Sequence, residues 1–310
     1  MDRSAAARPW SLVLAGGDGT RLQGLTRQLT GAPIPKQYCR ILGTQSLLEA
    51  TLSRSRLFAK PERTLVVINR DHLAFGKEQL RGMRAGNVLV QPCNRETGPG
   101  MLFALMQLRD RALDATVAVF PSDHYVSDDR TFTDYVARAA NIVSQHPEKI
   151  ALLGIRPSYP EPGYGYILPG KPMRTFGGGI PAFRVAAFRE KPREDLAQSL
   201  LTSGSLWNSF VMVFRVARVL ELLRRFASTE FEDMQRLNSS PTSLAAQYSE
   251  LRAWSFSSYF LARVPQHLIV LPVEDVQWSD WGTPESIEST FRMLNQAPPW
   301  KAVGSPRSAA

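Results

Sequence analysis

An apolar run that breaks into a glycine-rich turn is the feature that most constrains this chain. Residues 12–15 are Leu-Val-Leu-Ala, apolar at every position, which is typical of a central strand covered by helices on both faces. Gly16, Gly17 and Gly19 follow directly. Glycine lacks a Cβ atom and permits positive φ, so successive backbone N–H groups can converge on an anion. From these glycines alone, an anion site and an ordinary strand-to-helix turn both remain open.

Positive charge near this turn favours the anion site. Arg21 lies two residues after Gly19, and Lys36 follows Pro35. The turn itself, GGDGTR, is neither the GxxxxGK[ST] of a P-loop nor the GxGxxG of a dinucleotide site. Residues 23–35 are rich in Thr, Gly and Pro, and we predict a long irregular loop there, a kind of segment that is commonly functional.

The order of apolar patterns predicts the fold class. Short apolar runs predict strands, amphipathic stretches predict helices, and the two alternate up to residue 155. Such alternation predicts an α/β fold with a doubly wound, mainly parallel, Rossmann-like sheet, whose ligands lie at the carboxyl ends of its strands. From residue 157 the chain becomes rich in Pro, Gly and Tyr. This segment, with the FGGGI of residues 176–180, is predicted to be a hairpin-like excursion of mixed strands.

Charge and cysteine content narrow the class of function. The net charge is +9, but the arginines are scattered and no basic cluster is interleaved with aromatic residues, so we predict no nucleic-acid partner. A diffusely basic surface instead suits a polyanionic small substrate. No apolar run approaches the ~18 residues of a membrane span, and the first residues contain no apolar signal region. Since Cys39 and Cys93 are the only cysteines, we expect a cytoplasmic protein without membrane contact.

Two aspartates are candidate ligands for a metal ion. Asp123 follows the strand predicted at residues 117–120, and Asp280 stands between two tryptophans. Carboxylates suit a hard cation such as Mg²⁺ and leave coordination positions for phosphate oxygens. Taken alone, each aspartate is also compatible with a helix N-cap or a turn.

Other polar positions have the chemistry to bind a sugar phosphate or a base. Glu190 and Lys191 offer a carboxylate and an ammonium, Gly165 lies between two tyrosines, and the Asn208 amide can both donate and accept. A charged strand end, a turn and a capping asparagine are the structural alternatives. A loop with room for a base contains Arg95, Thr97 and Gly98.

Eight motifs in a fixed order carry a family resemblance that covers residues 11–294. Together they resemble the sugar-1-phosphate nucleotidylyltransferases, specifically the mannose-1-phosphate guanylyltransferase branch. The motifs are LAGGDGTRL, PKQ, NRETGP, PSDH, GYGYI, REKP, LWNSF and WSDWG. The resemblance implies a Mg²⁺-dependent reaction in which a sugar 1-phosphate attacks the α-phosphate of a nucleoside triphosphate, with GTP and mannose 1-phosphate favoured.

The resemblance also implies roles on the nucleotide side of the site. Leu14 and Ala15 would lie near the base and ribose, Arg21 would stabilise the leaving pyrophosphate, and Lys36 would hold phosphate oxygens. Asp123 and Asp280 would bind Mg²⁺. The residues implied to bind the triphosphate and base are Gly16, Gly17, Gly19, Thr20, Arg95, Thr97 and Gly98.

On the sugar side, the resemblance implies that Lys191 positions the sugar phosphate and that Glu190, Gly165 and Asn208 read the hexose. It further implies one nucleotidyltransferase domain at residues 10–295, with a mainly nucleotide-binding half and a mainly sugar-binding half. We place the division of these halves between residues 156 and 157. A disordered lead at residues 1–9 is predicted before the domain, and a loose tail at residues 296–310 is predicted after it.

Departures from the family pattern leave alternatives open. Gly24 stands where the family usually has proline, so the loop over the triphosphate is expected to be more mobile or differently shaped. The same chemistry on another base or sugar 1-phosphate remains an alternative, as does a catalytically silent regulatory subunit. Homo-oligomerisation is also left open.

Overall fold

The computed structural model describes residues 8–173, 181–239 and 244–302. Most of the predicted lead, the whole FGGGI segment and the last eight residues of the predicted tail lie outside these ranges. Among the helices within them, none combines the length and the apolar character that crossing a membrane requires.

A nine-stranded sheet forms the centre of the described residues. A separate two-stranded ribbon pairs β5 (Tyr125–Val126) with β11 (Trp278–Ser279). In spatial order the strands of the large sheet are β3 (Val88–Gln91), β2 (Thr64–Asn69), β1 (Trp10–Ala15), β4 (Thr116–Pro121), β9 (Leu206–Arg215), β6 (Ile150–Ile155), β10 (Leu268–Val273), β8 (Phe183–Glu190) and β7 (Gly165–Pro172).

Strand direction confirms the predicted fold class. Strands β1 to β4 pair in parallel, and β6 pairs in parallel with β10. β9 is antiparallel to β4, β6 and β7, and β8 is antiparallel to β10 and β7. Seven strands of the large sheet, as described, therefore run in one direction, and the two reversed strands belong to the second half of the chain.

Helices cover both faces of the sheet. Along β1, Leu12 packs into one apolar cluster and Val13 into another, because successive strand residues point to opposite faces. The helices are α1 (Gln23–Thr30), α2 (Leu47–Arg56), α3 (Leu73–Gly76), α4 (Thr97–Ala112), α5 (Asp129–Gln145), α6 (Glu194–Thr202), α7 (Val216–Phe226), α8 (Ser228–Ser239), α9 (Leu244–Tyr248), α10 (Pro284–Met293) and α11 (Pro299–Ala302).

The prediction of an irregular loop over residues 23–35 is wrong for its first part. Residues 20–22 form a 3₁₀ turn and α1 follows it. Leu22 and Leu25 are buried in a third apolar cluster, which also contains Trp281 and Phe291. The leucine spacing gives this segment one apolar face, and packing of that face outweighs the weak helix propensity of its Thr and Gly residues.

The segment predicted to be a loose tail contains ordered structure within its described part. Helix α11 occupies Pro299–Ala302, and the Trp300 ring meets Phe291 edge to face with centroids 5.6 Å apart. The Lys301 ammonium lies 2.8 Å from the Glu288 carboxylate of α10. These contacts place the start of the tail against α10.

Candidate active site

A cavity of about 430 Å³ opens at the carboxyl ends of the parallel strands. β9 runs antiparallel to β4, so its first residues arrive at the same edge where β1 and β4 end. A wider depression of about 870 Å³ lies against α8 and α9, but none of the site residues predicted from the sequence borders it. The predicted residues that border the 430 Å³ cavity are Leu14, Gly16, Gly17, Arg21, Thr97, Asp123, Gly165, Glu190, Lys191, Asn208 and Asp280.

The glycine turn exposes its backbone to this cavity. Gly17 is exposed, and a Cβ atom at this position would meet nothing within 4 Å, so the surface above it is open. Gly19 has a φ of 59°, in the left-handed region that favours glycine. The side chain of Gln37 donates to the carbonyl of Gly17 at 2.7 Å and to that of Ala15 at 3.1 Å. The turn is thus held from below while its upper surface stays free for an anion.

The β5–β11 ribbon explains how Asp123 and Asp280 come to border one cavity. Tyr125 pairs with Ser279 in this ribbon, so the residues just outside each strand lie close together. The ammonium of Lys36 lies 3.2 Å from Asp123 Oδ2, donates to the carbonyl of Trp281 at 2.9 Å, and contacts the carbonyl of Asp280. Lys36 itself is buried, and all three of its N–H donors face protein oxygens.

Asp280 is oriented by two further donors. The hydroxyl of Tyr164 donates to Asp280 Oδ1 at 2.8 Å, and the N–H of Gly282 donates to the same oxygen at 2.7 Å. Burial and the neighbouring Asp280 carboxylate raise the pKa of Tyr164, so the phenol remains a donor. With Oδ1 occupied, Oδ2 is the Asp280 oxygen left without a side-chain donor among the described residues.

Charges around Asp123 favour its ionised form. Burial alone would raise the pKa of this carboxyl, but the nearby Lys36 ammonium, with His124, lowers the pKa below its ordinary value. Nε2 of His124 lies 3.5 Å from Asp123 Oδ1, and burial lowers the pKa of the imidazole. Asp123 is therefore a carboxylate at neutral pH.

The pair of carboxylates fits a magnesium ion. No group of three or more His, Cys, Asp or Glu side chains within the described ranges could enclose a metal. Mg²⁺ does not need such a cage, because it is commonly held by one or two carboxylates together with substrate phosphates and water. Asp123 and Asp280 are the residues placed to supply those carboxylates beside an anion-binding turn.

The sugar-side residues form the opposite wall of the cavity. A Cβ atom at Gly165 would lie 2.6 Å from Glu190 Oε2, so the glycine lets this carboxylate lie close to the backbone of β7. Burial raises the pKa of Glu190, although Lys191 opposes the shift. The Asn208 amide donates to Ser257 Oγ at 3.4 Å, and its oxygen accepts the N–H of Phe210 at 3.1 Å.

The other predicted residues do not border the cavity. The carbonyl of Ala15 is occupied by Gln37 and by Tyr38, and Lys36 lies beneath the aspartates. Gly98 packs under Trp254, whose ring a Cβ atom would overlap, and the N–H of Gly98 donates to the Trp254 carbonyl at 2.9 Å. Gly19, Thr20 and Arg95 also lie outside the cavity lining.

Several polar residues at the site are not predicted by the sequence motifs. Asn69 and Gln91 are buried at the ends of β2 and β3, and Gln91 borders the cavity. Both are polar residues that terminate apolar strands, which is the signal that identifies Asp123, so the same rule could have found them. Tyr164 is one of the two tyrosines beside Gly165, and nothing in the sequence shows that its hydroxyl reaches Asp280.

Comparisons with known proteins agree with this geometry. The xanthan biosynthesis protein XanB of Xanthomonas campestris pv. campestris (strain B100) is 33% identical over 286 residues, covering 89% of this chain and 58% of that protein. Mannose-1-phosphate guanylyltransferase 2 of Escherichia coli O157:H7 is 31% identical over 295 residues, with the same two coverages. The chain thus spans a little more than half the length of these relatives.

A solved structure and a family model extend the comparison. A crystal structure from Thermus thermophilus, described as a mannose-1-phosphate geranyltransferase, matches with a TM-score of 0.79 and 30% identity, covering 94% of this chain and 80% of that one. Residues 10–297 match the family model described as Nucleotidyl transferase. The resemblance carried by the eight sequence motifs is therefore confirmed, and the chain belongs to the nucleotidyl transferase family.

Proposed function

We propose that this chain transfers a guanylyl group from GTP to mannose 1-phosphate, giving GDP-mannose and pyrophosphate with Mg²⁺ as cofactor. The observation that carries the proposal is the single cavity bordered by the glycine turn, Asp123, Asp280 and the Glu190-Lys191 pair. This cavity brings together backbone groups that suit an anion, two carboxylates, and a wall of side chains that suit a sugar phosphate. The names of the relatives support the choice of substrates.

On the nucleotide side, the backbone of Gly16 and Gly17, which border the cavity, receives the triphosphate, with Leu14 and Thr97 beside the ribose and base. Arg21 is exposed at the cavity and neutralises charge that develops on the departing pyrophosphate. When bound, Mg²⁺ supplies charge neutralisation for the phosphate oxygens and polarises the phosphorus that is attacked.

The transfer step needs positioning more than covalent chemistry. An oxygen of the sugar 1-phosphate forms a bond to the α-phosphorus of GTP, and the bond from that phosphorus to the bridging oxygen breaks. Pyrophosphate leaves with the electron pair. Because a phosphate dianion is already nucleophilic, no general base is required, and the chain contributes alignment and electrostatic stabilisation.

Lys36 and Tyr164 set the two carboxylates for this step. The Lys36 ammonium is committed to Asp123 and to the carbonyls of Asp280 and Trp281. We therefore assign Lys36 to holding Asp123 and Asp280 in place, where the motif resemblance alone implied contact with phosphate oxygens. Tyr164 fixes Oδ1 of Asp280.

On the sugar side, Glu190 and Asn208 contact hexose hydroxyls, and Lys191 pairs with the sugar phosphate. The absence of a Cβ atom at Gly165 leaves Glu190 its place against the wall. The division into a nucleotide-binding half and a sugar-binding half remains part of the proposal. Cys39 and Cys93 are free thiols, which supports a reducing, cytoplasmic setting.

Pyrophosphate release by the purified protein tests the reaction and its substrates together. The assay uses Mg²⁺ and a matrix of nucleoside triphosphates and hexose 1-phosphates. We expect a maximum with GTP and mannose 1-phosphate. A maximum at another pair would contradict the substrate assignment. If the folded protein released no pyrophosphate with any pair, the proposal that it is an enzyme would be contradicted.

Asp123→Asn tests the site assignment in the same assay. It should lower turnover ~100-fold or more, by analogy with removal of one preorganised electrostatic contact. Asp114→Asn is the matched control, because Asp114 is exposed near the opposite end of β4. Near-normal turnover of Asp123→Asn would contradict the assignment of Asp123 to the active site, whereas Asp114→Asn should keep full turnover.

A further inference from the structure

Asp18 lies inside the glycine turn and has no part in the reaction described above. Its Oδ1 accepts a hydrogen bond from Asn69 Nδ2 at 3.1 Å and lies 3.3 Å from Nε2 of His72. Its Oδ2 accepts a hydrogen bond from Asn94 Nδ2 at 2.8 Å. One carboxylate therefore meets three side chains, each more than 50 residues further along the chain.

These contacts connect the exits of three neighbouring strands. Asp18 follows β1, Asn69 ends β2, and Asn94 follows β3. Nδ2 of Asn69 also donates to the carbonyl of Gly16 at 2.6 Å, and Oδ1 of Asn94 accepts the N–H of Glu96 at 2.8 Å. Asp18 consequently ties the glycine turn to the loop that leads into α4.

A carboxylate satisfies this arrangement and an amide does not. Asn69 and Asn94 present N–H groups to Asp18. Burial lowers the pKa of His72, so its ring is neutral near pH 7 and can face Asp18 with an N–H at Nε2. An ionised carboxylate accepts hydrogen bonds at both oxygens and donates none, which matches three donors.

The network has a second layer below the turn. Nε2 of Gln91 contacts Oδ1 of Asn69, and Oε1 of Gln91 accepts the hydroxyl of Tyr248 at 3.1 Å. Gln91 and Tyr248 are buried. Asn69 is thus oriented by a buried partner, so its contact with Asp18 has a fixed direction.

Attraction between charges cannot explain why an aspartate stands at position 18. A carboxylate beside a polyphosphate site repels the ligand. We propose that Asp18 is a positioning residue, which holds the glycine turn in the shape that receives the triphosphate. This inference rests on the proposed function only in placing phosphates over the turn.

Asp18→Asn separates positioning from charge because the two effects have opposite signs. Removing a negative charge would by itself tighten the binding of a polyphosphate. If Asp18 positions the turn, the amide leaves donors unpaired, and affinity falls about 5- to 30-fold despite the loss of repulsion. The measurement is calorimetric titration with inorganic tripolyphosphate, and separately with GTP, both in the presence of Mg²⁺.

Asp71→Asn is the matched control for charge. Asp71 is exposed next to His72 and makes no side-chain hydrogen bond or ion pair within the described part of the chain. Its loss should leave the affinity for tripolyphosphate unchanged or slightly higher. Equal affinity changes in the Asp18 and Asp71 variants would overturn the inference, as would tighter binding by Asp18→Asn.

A reciprocal exchange tests the geometry directly. In Asp18→Asn/Asn94→Asp the net charge of the native protein returns and the amide and carboxylate change places. We expect partial recovery of tripolyphosphate affinity, and a double variant as weak as Asp18→Asn would contradict the inference. Thermal unfolding of each variant confirms that it is folded.

Failure of this inference can be told apart from failure of the proposed function. Tripolyphosphate contains neither base nor sugar, so its binding does not depend on which substrates release pyrophosphate. If the native protein does not bind tripolyphosphate, the inference is overturned.

Discussion

Backbone strain at single residues is concentrated around the candidate site. Among the described residues, six other than glycine have positive φ. Glu96, Lys191 and Phe210 border the cavity, and Trp281 follows Asp280. Such conformations cost about 1–3 kcal/mol each and persist where the surrounding structure enforces them. The sequence could not reveal these conformations, because neither glutamate nor phenylalanine is a residue type that indicates a left-handed backbone.

Glu96 permits a test of this strain. It has φ 65° and ψ −171°, a region that is essentially restricted to glycine, and its side chain does not cap α4. Glu96→Gly should raise the free energy of unfolding by about 1 kcal/mol, because the strain is relieved. It should also raise the KM for GTP in the proposed reaction, because glycine loosens the loop that we propose to lie beside the base. Denaturant unfolding and pyrophosphate release measure the two effects.

Asp275→Gly is the control for that experiment. Asp275 is also exposed and acidic, has a φ of 60°, and does not border the cavity. It should gain stability with no change in KM. If both variants change KM equally, strain at Glu96 has no particular connection with nucleotide binding.

At the scale of helices and strands, most elements were predictable and the exception has a physical cause. α10 begins at Pro284, a residue type suited to the first turn of a helix, and its N-terminus is capped reciprocally by Thr283 and Ser286. α1 was missed because its composition resembles a loop. The leucine face of α1 is buried against Phe291 and Trp281, which lie more than 250 residues further along the chain. Nothing near α1 in the sequence shows that these packing partners exist.

The location of α1 changes the expectation for Gly24. Gly24 is the second residue of this helix, is exposed, and a Cβ atom there would meet nothing within 4 Å. The structure thus has a helix where the composition predicted an irregular loop. Gly24→Ala should raise the free energy of unfolding by about 0.5–1 kcal/mol, measured by guanidinium denaturation.

Gly31→Ala, at the end of the same helix, should change the free energy of unfolding in the opposite direction. Gly31 ends α1 with a φ of 79°, so alanine is strained there although space is available. This variant should be less stable than the native protein. A destabilised Gly24→Ala would show that residues 23–30 are not helical in solution.

For the whole molecule, the carboxyl-end rule predicted the edge of the sheet where the candidate site lies, but not the way in which its parts meet. The alternation of strands and helices was enough to place the glycine turn and Asp123 at one edge. The convergence of Asp280 depends on the two-residue ribbon of β5 and β11, which is too short to leave a sequence pattern. The contacts of Lys36 and Asp18 follow from tertiary packing and were likewise beyond prediction.

Continuity of the sheet predicts the mode of unfolding. β9, from the second half of the chain, lies between β4 and β6 of the first half. The two halves therefore share hydrogen bonds through the middle of the sheet. We expect one cooperative transition in scanning calorimetry of the protein without ligands, with calorimetric and van't Hoff enthalpies in agreement. Two separate transitions would contradict this.

The place of β9 also has a consequence for synthesis. A nascent chain presents β4 and β6 well before residues 206–215 have been translated, and until then each of these strands has an unpaired edge. Unpaired strand edges are templates for pairing with other chains. The arrival of β9 closes the edge of β4 and one edge of β6, but the other edge of β6 stays open until β10, residues 268–273, has been translated. The nascent chain is therefore exposed to aggregation over a long interval, which begins with β4 and β6 and ends only with β10.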